Sequence, residues 1–208
     1  MSIAEQRRIE LLSLLFFCSG FAALIYQVAW QRLLFLAFGV DTTSVTLIVS
    51  AFMLGLGVGA LAGGWWVDRT LPSRALTGFV GAEIGVGLFG LISPWLLTAI
   101  GAWGAYWSPA AVGLTSFLIL LVPTALMGAT LPILVTYVCH KWRHVGAATG
   151  VLYAANTLGG AMGAVMAATY FFVYVPLDQI IYLSAGVNFL VAGGTWYWLS
   201  RQTQGASK

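Results

Sequence analysis

Residues 10–38 read ELLSLLFFCSGFAALIYQVAWQRLLFLAF, an apolar run in which Gln27, Gln31 and Arg32 are the strongly polar members beyond its first residue. Its length exceeds the roughly 20 residues needed to cross a hydrocarbon core, so it reads as a membrane-spanning helix. A charged side chain near the bilayer centre costs roughly 2.5–3.5 kcal/mol on insertion scales, which places Arg32 near an interface or against protein. Gln27 and Gln31 share a helix face at i, i+4, with Arg32 about 100° further round. Together they point to an internal polar face.

Working outward, five more apolar runs cover 44–67, 75–100, 110–139, 145–175 and 179–199. Of the whole chain, 60% is hydrophobic and 7% charged, against the roughly 25% charged that is usual for soluble domains. The connections are too short to fold separately. The expected fold is therefore all-α: one polytopic domain over residues 1–208 with six transmembrane helices and no soluble domain. The first run is too long for a cleavable signal peptide and is expected to remain as a span.

Six spans place Arg7, Arg8, Arg69, Arg74, Lys141, Arg143, Arg201 and Lys208 on one side and leave Arg32 towards the other. That asymmetry predicts an integral protein of the bacterial inner membrane with both termini cytoplasmic. The net charge of +3 does not indicate nucleic acid, because the basic residues are spread over several short loops. Cys18 and Cys139 fall near the predicted cytoplasmic side, where thiols stay reduced, and read as packing residues.

Several residues inside or beside the spans are candidates for function. Arg32 and Asp41 flank the first outer turn, and the pair reads as a structural ion pair, with a ligand contact by Arg32 as the alternative. On the second helix, Gly55, Gly59 and Gly63 form a flat strip that another helix backbone can approach closely. No strand precedes them to make a dinucleotide-binding turn. Glu83 lies about 12 Å inside the third helix, and reads either as a structural hydrogen-bonding group or as a proton- or cation-binding one. The fourth helix carries Pro123 and Pro132, which predict a kinked or locally opened helix, a feature of transporter sites that neighbouring Thr hydroxyls also satisfy. The fifth aligns Tyr153, Asn156, Gly160 and Gly163 on one face, with Asn156 at a depth comparable to Glu83, so the two are expected to face the same interior. Asn188 sits mid-span in the sixth. The candidate ligand-contacting set is thus Glu83, Asn156, Gln27, Gln31, Tyr153 and Asn188. His140 and His144 have a metal-compatible spacing but no third ligand, and a solvated basic loop is the preferred reading. No metal and no cofactor is expected.

Four runs, FAALIYQVAWQRLLFLAFG, AFMLGLGVGALAGGWWVDR, VPTALMGATLPILV and GVLYAANTLGGAMGAV, resemble the membrane portion of the spermidine-synthase-like membrane proteins. That family is described as a major-facilitator-type module fused to an aminopropyltransferase domain. Gly64, Asp68, Arg69 and Arg74 look like the inner-loop motif of the major facilitator superfamily, although Leu71, Pro72 and Ser73 replace part of its usual pattern. The resemblance implies half of a major-facilitator fold without the synthase domain, so no catalytic residue carries over. It implies a non-catalytic module that anchors, binds or translocates for a separately encoded aminopropyltransferase-like partner or its polyamine or amphipathic substrate. The alternative is a structural subunit of a larger membrane complex. The expected partners are the lipid bilayer and either a soluble synthase-like protein or other membrane subunits, with homo-oligomerisation left open. An intramembrane enzyme is disfavoured, since the spans hold no nucleophile and base pair.

Overall fold

A computed structural model describes residues 3–39, 41–141 and 145–205, which are helical nearly throughout and contain no strand. The elements are α1 (Ile3–Phe38), α2 (Asp41–Asp68), α3 (Pro72–Trp103), α4 (Pro109–Lys141), α5 (Val145–Met166), α6 (Phe172–Tyr174) and α7 (Leu177–Gly205). A π-helical turn, Ala167–Phe171, joins α5 to α6, and a 3-10 turn, Gly104–Tyr106, follows α3. The segments Ile9–Leu36, Thr42–Asp68, Arg74–Trp103, Pro109–Cys139, Gly146–Tyr174 and Leu177–Ser200 are each long and apolar enough to cross a membrane. The chain is an integral membrane protein with the all-α, six-span layout that its hydropathy predicts.

The breaks follow backbone chemistry. Gly39 adopts φ 67°, a left-handed conformation that ends α1 at little cost only because glycine has no Cβ. Leu71, ahead of Pro72, is extended at φ −60°, ψ 136°, and Val175, ahead of Pro176, at φ −125°, ψ 132°. Proline disfavours the helical region for the residue before it, so both positions interrupt helices. Pro123 and Pro132, by contrast, lie within an uninterrupted α4. Thr124 Oγ1 donates to Leu120 O at 2.8 Å and Thr130 Oγ1 to Met127 O at 2.6 Å. Of the alternatives expected from the prolines, a kink or a local opening, the opening is not observed; the irregular turn falls in the fifth span.

Contacts between helices fix their directions. Along α1 and α3, Phe16 meets Phe79, Ser19 meets Glu83, and Trp30 meets Ser93. Both numbers rise together, so the two helices run parallel, as first and third spans must. On α2, a Cβ at Gly59 would run into the Ala125 carbonyl, and one at Gly63 would come 2.8 Å from Ala129 Cα. The glycine strip is therefore where α2 and α4 touch backbone to backbone. Gly159 and Gly163 of α5 approach the main chain of Phe17 and Phe21 on α1 in the same manner. Besides a small cluster of Ile25, Ala167 and Ile180, two larger buried clusters result, one around Tyr26, Trp30, Phe52 and Leu97, the other around Phe16, Leu76, Phe79 and Leu134 nearer the termini.

Candidate functional site: a buried acid, amide and hydroxyl

Glu83 lies on α3 between those two apolar clusters and is 1% exposed. Its Oε1 accepts from Ser19 Oγ of α1 at 2.6 Å, and its Oε2 from Asn188 Nδ2 of α7 at 2.8 Å. Ser19 and Asn188 are also buried. Three helices thus meet at one carboxyl group, each carboxyl oxygen holding a single donor. Among the described residues no Lys or Arg is buried beside it. The Asn188 Oδ1 acceptor is buried without a hydrogen-bond partner, as is the Tyr26 hydroxyl. The Tyr26 hydroxyl lies against Gly90, two turns further along α3. The unmet Asn188 Oδ1 leaves the centre able to take one more N–H or O–H donor. Leaving a buried acceptor unmet costs about 1–3 kcal/mol, which is what such a donor would recover.

Aromatic packing closes the centre at both ends. On the side of the α1–α2 turn, Tyr26 and Trp30 stack with centroids 4.8 Å apart, and Phe89 meets Trp30 edge-on at 5.4 Å. Trp30 Nε1 donates to Ser93 Oγ at 2.8 Å, so the buried indole N–H is satisfied across the same helix pair. Towards the termini, Phe16 and Phe79 pack edge to face at 6.2 Å.

Of the residues expected from sequence, Glu83 and Asn188 are brought together. Asn156 is not: it is half-buried on α5, with its main-chain carbonyl and Oδ1 against Gly20 of α1. Ser19 and Gly20 are neighbours about 100° apart on α1, so Glu83 and Asn156 meet different faces of that helix. The expected shared interior of Glu83 and Asn156 is corrected to one shared by Glu83, Ser19 and Asn188. Depth along a span reads correctly from sequence, but which helix faces which does not. Tyr153 is exposed on α5 and Gln27 half-buried on α1. Gly64 has open space beside it, and Asp68, Arg69 and Arg74 are exposed. Arg69 folds back on its own helix, its guanidinium 4.1 Å over the Trp65 ring and its Nη1 donating to Trp65 O at 3.0 Å. The side chains of Asp41 and of His140 to His144 lie outside the described residues, so the Arg32 to Asp41 pairing and the His140/His144 reading do too. Sequence reading missed Ser19 and Tyr26. The Ser19-Gly20 pair inside an unbroken apolar run was the available signal for the first.

A second polar feature lies at the end of α1 nearest α2. Val28, Gln31, Arg32, Phe35 and Leu36 line a cleft of about 580 Å³ together with Phe172, Val175 and Leu177. The Arg32 guanidinium carbon sits 3.9 Å over the Phe172 ring.

The chain matches no family model, and no solved structure matches it. It is similar to a Streptomyces coelicolor protein named polyamine aminopropyltransferase 1, at 26% identity over 157 residues, which is 75% of this chain and 28% of that protein. This chain is thus a partial, low-identity relative of a polyamine aminopropyltransferase, and it spans well under a third of that relative's length.

Proposed function

We propose that this chain is a non-catalytic membrane module of the spermidine-synthase-like type, which anchors an aminopropyltransferase-like partner and takes up that partner's amine ligand at Glu83. The six-span chain carries a partial match to a polyamine aminopropyltransferase, and the one acidic side chain in its buried core, among the described residues, is Glu83. The observation that carries the reading is a buried carboxyl group with no cation beside it among the described residues, next to the unpartnered Asn188 Oδ1. A primary ammonium group brings a positive charge for the carboxyl group and an N–H donor for Asn188 Oδ1. Glu83 is enclosed by α1, α3 and α7, so an amine reaches it when α7 parts from α3, trading the Asn188 Nδ2–H for its own donors. Both termini are assigned to the cytoplasm of a bacterial inner membrane, where the partner would dock.

The test is affinity purification of the tagged chain in mild detergent from its native cells. Enrichment of an aminopropyltransferase-like protein, lost on high-salt washing or competition with that protein, is the expected result. Recovery of a stable assembly of other membrane subunits lacking any such enzyme would contradict the proposal in favour of a structural subunit.

A further inference from the structure

The cleft at the far end of α1 owes its shape to where the small residues stop. Below it, Gly159, Gly163 and the buried Ala167 hold the fifth span against α1 at main-chain distance. The π-helical turn Ala167–Phe171 inserts an extra residue into the helical repeat and ends on the bulkier Phe171, with Phe172 next. Such turns recur at functional sites. Val28, Gln31, Arg32 and Phe35, which recur along one face of α1 at i, i+3, i+4 and i+7, line the cleft opposite Phe172 and Val175.

Arg32 is the one charged residue among those lining the cleft; Gln31 is polar and the other six are apolar. Stacking on Phe172 at 3.9 Å uses the flat face of the guanidinium. Its five N–H donors lie in the plane of the group and point away from the ring. No carboxylate is ion-paired with Arg32 among the described residues, and Asp178 of α7 is not among the lining residues. A cationic amine is repelled from this place, so the cleft is not a second copy of the Glu83 centre. Its chemistry is that of an anion joined to a hydrocarbon tail: planar cationic donors at one edge, and Phe35, Leu36, Val175 and Leu177 beside them. Phe35 and Leu36 are both exposed at the level where the first span ends.

We propose that this cleft is a binding site for an anionic phospholipid, whose phosphate takes the Arg32 donors and whose acyl chain lies along Phe35 and Leu36. The inference goes beyond the amine-binding reading and stands or falls without it. Lipid is favoured over a free anion because six of the eight lining residues are apolar and the site opens at the edge of the spans.

The test is native mass spectrometry and thermal unfolding of the delipidated protein, titrated with phosphatidylglycerol, with phosphatidylcholine, and with inorganic phosphate. Phosphatidylglycerol is expected to bind about tenfold tighter than phosphatidylcholine, whose phosphate is the same but whose quaternary ammonium is repelled by Arg32, and to raise the unfolding temperature. Arg32→Gln is expected to abolish the preference. Arg32→Lys, which keeps the charge but not the planar fork, is expected to retain only part of it. Equal binding of the two lipids by the unaltered protein would overturn the proposal, as would a stabilisation reproduced in full by inorganic phosphate. A preference unchanged in Arg32→Gln would overturn it as well. The lipid comparison on unaltered protein decides the matter should Arg32→Gln fail to fold.

Discussion

Replacing Asn188 by leucine removes the N–H that meets Glu83 Oε2 at 2.8 Å while roughly keeping the side-chain volume. Hydrogen bonds to charged groups contribute about 1.5–3 kcal/mol in general, whereas those measured between helices in bilayers average about 0.6 and reach about 1.7 kcal/mol. Asn188 is 3% exposed and Glu83 1%, so water does not substitute for the missing donor. The Asn188→Leu cost is therefore expected near the top of the bilayer range, about 1.5 kcal/mol. Glu83→Leu should cost more, because it orphans both the Ser19 hydroxyl and the Asn188 amide. The double replacement removes acceptor and donor together and should fall short of the sum by about 1 kcal/mol. Glu83→Gln should cost the least: its carbonyl keeps one donor, and its NH₂ can donate to Ser19 Oγ or to the unmet Asn188 Oδ1. Reversible unfolding in mixed micelles, followed by tryptophan fluorescence, supplies all four free energies. Additivity within about 0.5 kcal/mol would show that the two side chains do not act as a pair and would refute the reasoning.

Other expectations follow from the same packing. Gly59→Ala drives a methyl into the Ala125 carbonyl and should destabilise by about 1–3 kcal/mol; Gly57→Ala meets nothing within 4 Å and should be neutral or stabilising, so equal effects in micelle unfolding would contradict the α2–α4 contact. Trp30→Phe deletes the bond to Ser93 Oγ and some packing, and should cost more in the presence of Ser93 than in a Ser93→Ala background. Cysteines placed near residues 1 and 208 should both be shielded from a membrane-impermeant thiol reagent in intact cells, and labelling of either would overturn the assigned orientation.

Span number and helical class were legible because each run of apolar residues is long, and because Gly39, Pro72, Pro109 and Pro176 punctuate them. The α2 glycine strip was legible as a close-approach surface, since spacing of four residues selects one helix face, but nothing in the spacing named α4 as its partner. The candidate site was half legible for the same reason. An acid and an amide in apolar spans announce themselves by the cost of burying them, which is how Glu83 and Asn188 were found. Ser19 did not, because a serine can satisfy its hydroxyl on its own helix, as Ser184 does on Ile180 O. Asn156 was paired wrongly because depth was known and azimuth was not. Pro123 and Pro132 leave α4 uninterrupted, and the Thr124 and Thr130 hydroxyls bond to Leu120 O and Met127 O rather than to the carbonyls of Ile119 and Gly128 that the prolines free. The break in the fifth span has no proline or unusual residue to signal it.

The amine-binding role of Glu83 is tested most directly by equilibrium binding of spermidine to the protein in nanodiscs, comparing the unaltered chain with Glu83→Gln and Asn188→Leu. The account predicts binding that falls at least about tenfold in Glu83→Gln, as expected when one charge-assisted contact is lost. It also predicts weaker binding in Asn188→Leu, where the unmet Oδ1 acceptor is gone. Spermidine affinity that is the same in all three proteins, or no spermidine binding by the folded unaltered chain, would contradict it.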